Sequence, residues 1–399
     1  MVRSPPQHTE QTSAAPNKVA LVHDWLVTLR GGERVLDALC ELYPQATLHT
    51  LVRQPGIGTP RIEAMRHRPS LVDRLPGARQ RHRWLLPLYP SAIEALDLSD
   101  FDLVVSSSHC VAKGAIAAPG ALHVCYCHTP VRYAWDRTDD YLRGSAPMLQ
   151  WARPAIALAA RWLRRWDKAT VGRVDLFVAN SQNTANKIEQ FYGRSAVVVH
   201  PPVQCDQFAH LQRTAGAGDY DLVLGGLVPY KRVDLAVQAY ALLPDRQLVV
   251  VGDGPERARL QALAGPNVRF VGRVAEGDLP GWYGGAQMLI FPGEEDFGIV
   301  PLEAQAAGVP VVALGRGGAL ESVVANKTGI FFDEETPAAV AAAVRQAAAK
   351  PLLPDDCRKN AQIFDRAVFL QRMRAAVAQA YATRARLQPD HSQPHLQAA

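Results

Sequence analysis

The chain has 399 residues, 48% of them apolar, with 29 glycines, 29 prolines and a formal net charge of +5. That length and apolar content suit two domains, each with its own core, and no run of 18 apolar residues is present to cross a bilayer. No signal-like segment precedes the first strand pattern and the six cysteines are scattered, so a reduced, cytoplasmic setting is expected.

Residues 1–16 (MVRSPPQHTEQTSAAP) and 387–399 are polar and rich in Pro, Gln and Ser, and read as disordered tails. KVALVHDW reads as a strand and GGERVLDALCELY as the amphipathic helix after it. ATLHTLV, FDLVVSSS, ALHVCYCHT and DLFVANS read as short buried strands. Residues 151–170 have a helical pattern, SQNTANKIEQFYG reads as a helix capped by Ser181, and SAVVVHPPV ends the first domain, 17–203.

Residues 204–219 are polar and glycine-containing, a linker. The second domain, 220–365, repeats the same grammar from YDLVLGG to TGIFFD, with strands apolar on both faces and helices between them. Such runs describe parallel sheets covered on both sides. The expected fold class is therefore α/β, two doubly wound, Rossmann-like domains facing across a cleft, with ligands outside the carboxyl ends of the strands. Residues 337–386 are strongly helical, and the last segment, 366–386, is a candidate to pack back on the first domain.

Residues 17–200 hold 23 Lys or Arg against 16 Asp or Glu. Much of the excess lies in RQRHRWLLPLYP (79–90) and ARWLRRWDK (160–168), where arginines mix with tryptophan. That composition suits an anionic lipid interface or a solvated helix face. No nucleic-acid-binding motif accompanies it, so no nucleic-acid partner is expected. CYCH at 125–128 raises a metal site, but the two thiols are expected on opposite strand faces and no second cluster supplies ligands. No metal and no cofactor are expected.

Several residues point to a phosphate-bearing ligand. Gly31 and Gly32 follow the first strand, where a helix start offers N–H groups to an anion or simply makes a connecting turn. Lys231 and Arg232 open a helix where the macrodipole favours anions, which suits an anion lodged between them or a wet surface pair. Phe297, Gly298, Ile299 and Val300 lead into another helix, and Gly298 lets the backbone pass close to a ligand. Glu303 follows in that helix and Glu295 in the loop before it, and each carboxylate offers two oxygens to neighbouring hydroxyls. Gly317 and Gly318 form a second close approach. His128 should emerge at a strand's carboxyl end, as a cleft residue or as a structural cap.

LVPYKRVDLAV, VVGDGPERARL, FPGEEDFGIVPLEAQAAG and GRGGALESV occur in this order. With HDWL…GGERV and YCHTPVRYAWD they resemble the motifs of retaining, GT-B-fold glycosyltransferases of the E-x7-E family (glycosyltransferase family 4), which includes sucrose synthases and bacterial mannosyltransferases. The likeness spans roughly 18–385 and is strongest to enzymes that add mannose in polysaccharide or O-antigen assembly. It implies Glu303 on the donor ribose, Glu295 on the donor sugar, Lys231 and Arg232 on the diphosphate, Gly31 and Gly32 near the phosphates, and His128 near the transferred sugar. The family usually has Arg where this chain has Gly226.

The resemblance implies metal-independent, retaining transfer of a hexose, with GDP-mannose the favoured donor. A lipid-linked or oligosaccharide acceptor is expected, with peripheral contact to an anionic membrane at the inner face of the plasma membrane. A sugar-nucleotide 2-epimerase and a non-catalytic binding module of the same fold are the alternatives.

Overall fold

A computed structural model describes residues 18–29, 31–132, 134–135, 153–211, 218–350 and 352–387. The two expected tails lie outside the described residues except at Leu387, and so does the middle of the expected linker.

Seven strands build the first sheet: β1 (Val19–Leu26), β2 (Thr47–Arg53), β3 (Arg66–Pro69), β4 (Leu103–Ser108), β5 (Leu122–Cys127), β6 (Leu176–Ala179) and β7 (Ala196–Val198). They lie in the order β3-β2-β1-β4-β5-β6-β7, and every pair is parallel. β1, β4 and β5 are buried along their whole length, as apolar strands covered by helices on both faces must be. Arg66–Pro69 is a short exposed strand at the edge, the position where a proline costs no ladder bond.

The second sheet contains β8 (Tyr220–Leu224), β9 (Leu248–Val251), β10 (Val268–Gly272), β11 (Ala286–Phe291), β12 (Val311–Leu314) and β13 (Gly329–Phe332). Its order is β10-β9-β8-β11-β12-β13, again all parallel. In each sheet the winding reverses once, between β1 and β4 and between β8 and β11. At such switch points adjacent crossovers leave on opposite faces and open a crevice at the carboxyl ends of the strands.

Two passes of chain join the domains. Val203 N–H donates to Phe364 O at 3.0 Å and Arg366 N–H donates to Val203 O at 3.0 Å, so the outgoing and returning segments run side by side. After Val203 a 3-10 turn, Cys205–Phe208, buries both end residues in the second domain's core. The returning helix, Arg366–Leu387, lays Phe369, Leu370, Met373, Ala376 and Val377 against Leu21, Val105 and Val124 of the first sheet. Arg366 fixes its start by pairing with Asp37 and Glu41, each at 2.6 Å.

One expectation is corrected. Cys125 and Cys127 are two apart on β5, and a strand's period of two puts them on the same face. Both sit in one apolar cluster with Phe177 and Ile188, as small hydrophobes of that core.

Candidate active site

β11 ends at Phe291 and the chain crosses the cleft face before entering the helix Val300–Ala306. Gly298 makes this turn possible: its φ is 82°, and a Cβ there would sit 2.8 Å from the Phe291 ring. Phe297 is buried and stacks on His200 with ring centroids 5.1 Å apart, so its side chain anchors the loop. Gly317 and Gly318 make their close approach to this same loop. A Cβ at Gly317 would lie 2.5 Å from Glu295 O, and one at Gly318 2.1 Å from Phe297 Cα.

Glu303 is 3% exposed. The Tyr283 hydroxyl donates to its Oε2 at 2.8 Å, and Arg34, from the first-domain helix Gly31–Leu42, pairs with its Oε1. Arg34 also reaches Glu276 at 3.0 Å. Glu295, at the other end of the motif, holds Lys231 Nζ at 2.7 Å. Glycines give that lysine its course: a Cβ on Gly293 would stand 2.7 Å from Lys231 Cα, and one on Gly225 would stand 3.0 Å from its Nζ. A Cβ at Gly226, by contrast, would meet nothing nearer than Asp253 O at 4.0 Å, so that position opens into space.

Lys231 and Arg232 are adjacent but diverge. Lys231 closes a 3-10 turn, Pro229–Lys231, and Arg232 has φ 49° just before the helix Val233–Ala239. The left-handed residue swings its side chain away, to Glu335 and, at 3.4 Å, to Asp234. Only Lys231 of the two reaches Glu295.

The first domain brings Gly31, Gly32 and His128 to the opposite wall. A Cβ on Gly31 would lie 3.1 Å from Ile299 Cδ1, and one on Gly32 3.8 Å from the His128 ring. The switch points of both sheets therefore meet at these residues. His128 leaves β5 with its N–H bonded to Ser108 O at 2.8 Å, while Asn180 Nδ2 donates to its carbonyl at 2.9 Å. Its Nε2 lies 2.9 Å from Ser107 Oγ. Burial, then the neighbouring His109, His23 and Arg132, push the half-buried imidazole well below the usual histidine range, so it is neutral near pH 7.

Three cross-cleft contacts were not read from the sequence. Arg34 on Glu303 is one. Asp296, 5% exposed, accepts from Arg132 Nε at 3.0 Å and Lys187 Nζ at 2.8 Å. Burial would raise its carboxyl, but Arg132 and Lys187 outweigh that and hold it below the usual range. Glu321 accepts the N–H groups of Gln182 (2.7 Å) and Asn183 (3.0 Å), at the start of the helix Gln182–Tyr192. Beside Arg34 and Glu276 a cavity of about 660 Å³ runs along the domain junction to Arg61, Gln204 and Arg366. Among the described residues, no cluster of three or more His, Cys, Asp or Glu is arranged to hold a metal ion.

Two doubly wound domains with their switch points facing one cleft define the GT-B architecture. Solved structures share it: sucrose-phosphate synthase of Thermosynechococcus elongatus (TM-score 0.67, 19% identity, 92% of this chain and 99% of that one), and the Anabaena protein HepE in complex with UDP and glucose (TM-score 0.66, 17% identity, 90% and 99%). Residues 29–207 match the family model described as Glycosyltransferase Family 4, and residues 218–364 the model described as Glycosyl transferases group 1. Each half of the chain thus matches one of these two models.

Curated relatives include the GDP-mannose-dependent alpha-(1-6)-phosphatidylinositol monomannoside mannosyltransferase of Mycolicibacterium smegmatis, 33% identical over 205 residues, 44% of this chain and 54% of that protein. A D-inositol 3-phosphate glycosyltransferase of Streptomyces avermitilis is 31% identical over 215 residues, 46% of each. The match to these two spans about half of their length. One from Geodermatophilus obscurus is 29% identical over 340 residues, 74% of each.

Proposed function

We propose that this chain is a retaining glycosyltransferase that moves a hexose, with mannose from GDP-mannose the favoured case, to a lipid-linked or saccharide acceptor in cell-surface polysaccharide synthesis. One observation carries the reading: both ends of the E-x7-E motif are occupied by cations within the cleft, Lys231 on Glu295 and Arg34 on Glu303. A nucleotide sugar offers the matching exchange. Its diphosphate takes the cations, and its ribose and hexose hydroxyls take the carboxylates. In the absence of donor the site is charge-balanced, each carboxylate paired with a cation, which limits the cost of desolvating it.

In the transfer, the bond from the anomeric carbon to the β-phosphate oxygen breaks. The acceptor hydroxyl oxygen bonds to that carbon on the same face, and its proton passes to the leaving phosphate oxygen. The products are the glycosylated acceptor and the nucleoside diphosphate. Lys231 opposes the charge that grows on the phosphate, and stabilising such charge is a large part of catalysis at this kind of centre. Arg232 is assigned a supporting place: it reaches the phosphates only by leaving Glu335. Gly31 and Gly32 let the first domain's backbone approach the phosphates, the loop Phe297–Val300 approaches from the second domain, and neutral His128 accepts a hydrogen bond from a sugar hydroxyl.

The mannose assignment leans on the mannosyltransferase relatives and the resemblance of the motifs; the HepE complex keeps UDP-linked donors in the test. A panel of GDP- and UDP-sugars, assayed for donor turnover with lipid extract and EDTA present, is expected to give the highest rate with GDP-mannose. Turnover confined to UDP-sugars would overturn the donor assignment. Nucleotide release with epimerised sugar and no acceptor product would establish the 2-epimerase, and binding without turnover of any donor would establish a non-catalytic module.

A further inference from the structure

Behind His128 lies a chain of hydrogen-bonding groups whose protons can be counted. His23, fully buried on β1, places Nδ1 3.1 Å from Ser107 Oγ, and the same oxygen is 2.9 Å from His128 Nε2. On its far side, His23 Nε2 is buried without a hydrogen-bond partner and faces the Glu33 carboxylate at 4.0 Å. With one proton on each imidazole, the single proton of the serine hydroxyl goes to one ring and its oxygen accepts from the other. The direction is set by Glu33, which when ionised can only accept. Burial would raise its carboxyl, but His23 and His109 outweigh that and hold it below the usual range.

With the His23 proton on Nε2, toward Glu33, its Nδ1 accepts from the Ser107 hydroxyl. The Ser107 oxygen must then accept from His128 Nε2–H, which leaves His128 Nδ1 as a bare acceptor. The other polar groups nearby do not compete. His109 Nδ1 lies 3.2 Å from Asp24, whose two oxygens are already engaged by the N–H groups of residues 109–112 at 2.7–2.8 Å. The Tyr126 hydroxyl, whose ring packs 5.1 Å from that of His128, donates to Val199 O. Arg132, which faces the same cleft, is committed to Asp296.

We propose that Ser107, oriented by His23 and Glu33, is a positioning residue that fixes His128 as the Nε2–H tautomer, so that Nδ1 accepts a hydrogen bond from a hydroxyl of the sugar being transferred. This rests on the transfer reading of the cleft, and it adds to that reading the atom that makes the contact. The other tautomer would present an N–H there, and would meet a hydroxyl only as acceptor, with the hydroxyl proton left to find another partner.

The test is nitrogen NMR of the full chain, labelled with ¹⁵N in its histidine rings, with His128→Gln used to assign the resonance. At pH 7.5 and without ligand, His128 is expected as the Nε2–H form. Ser107→Ala should shift it toward a mixture of tautomers, and Ser107→Thr, which keeps a hydroxyl, should restore it. With donor and acceptor, Ser107→Ala should lower kcat by roughly tenfold, the loss of about one hydrogen bond's discrimination, with nucleoside-diphosphate affinity unchanged and the threonine variant recovering. A wild type with Nδ1 protonated, or a Ser107→Ala variant with an unaltered tautomer, overturns the proposal. The tautomer is read without any donor. A protein with the Nε2–H form that turns over no nucleotide sugar therefore overturns the transfer reading and leaves the proton arrangement supported.

Discussion

At Glu303, closure of the cleft and the proposed ribose contact would compete for one carboxylate. Its carboxylate is almost fully buried between Tyr283 and Arg34, and a donor ribose would take over the oxygen that Arg34 holds. Hydrogen bonds to a charged group are each worth about 1.5–3 kcal/mol, and these exist in the ground and transition states alike. Glu303→Ala should therefore raise donor KM roughly ten- to a hundredfold with little change in kcat, read from initial rates. Unaltered affinity for the best nucleotide sugar would remove Glu303 from the ribose. Lys231→Ala should behave differently, because the phosphate charge it opposes grows as the bond breaks. A fall in kcat of about a hundredfold is expected, and normal turnover at saturating donor would refute it. The two glutamates stand out in the sequence as carboxylates eight apart around a glycine turn, in a stretch that resembles the E-x7-E motif. Arg34 could not. It sits in an ordinary amphipathic helix, and only the meeting of two sheets 269 positions apart in sequence brings it to Glu303.

At the scale of elements, alternation of apolar runs and amphipathic stretches carried most of the sheet content, and the Ser181 cap is present, its Oγ accepting from Thr184 N–H at 2.9 Å. The strand Arg66–Pro69 was missed because it is polar, exposed and only 4 residues long. The basic, tryptophan-bearing stretches need a finer reading than composition allows. In the helix Arg153–Ala169, Arg164 donates to Ala134 O at 2.6 Å and packs over Trp135, and Trp166 donates to Glu94 at 2.9 Å. Those two residues build the domain. Arg161 and Arg165 are exposed with Trp162 beside them, as are Arg81 and Arg83 next to Trp84, itself 70% exposed. Exposed arginines interleaved with exposed indoles suit an anionic bilayer surface. Arg161→Gln with Arg165→Gln should weaken co-sedimentation with phosphatidylserine vesicles by roughly thirtyfold, given about 1 kcal/mol for each charge near the surface, and added salt should shrink the difference. Arg164→Gln should instead lower the melting temperature. Equal binding of wild type and the double variant to anionic and neutral vesicles would leave this face merely solvated.

For the whole molecule, the second domain is held to the first by carboxylates: Glu303 on Arg34, Glu321 on the start of the helix Gln182–Tyr192, and Asp296 on Arg132 and Lys187. All three come from elements beside the proposed donor site, so on that reading closure and ligand binding would share the same loops. Asp296 is the one best buried between two cations. Removing one member of a fully buried pair costs about 3–5 kcal/mol, but the side chains of Arg132 and Lys187 stay 25% and 22% exposed, so Asp296→Asn should cost nearer 2 kcal/mol. The variant should also open the cleft, seen as a larger radius of gyration in small-angle scattering. The pH dependence gives the sharper check. The Asp296 carboxyl is held below its usual range in the folded protein, so its stabilisation is complete above the unfolded carboxyl's value of about 4 and drains away as pH falls through the depressed folded value. Wild type and Asp296→Asn should therefore differ most in urea midpoint from pH 5 to 8 and converge under acid conditions, where the aspartate is as uncharged as the asparagine. A difference that persists undiminished at low pH would mean that Asp296 holds the domains by shape and hydrogen bonding, and not by its charge.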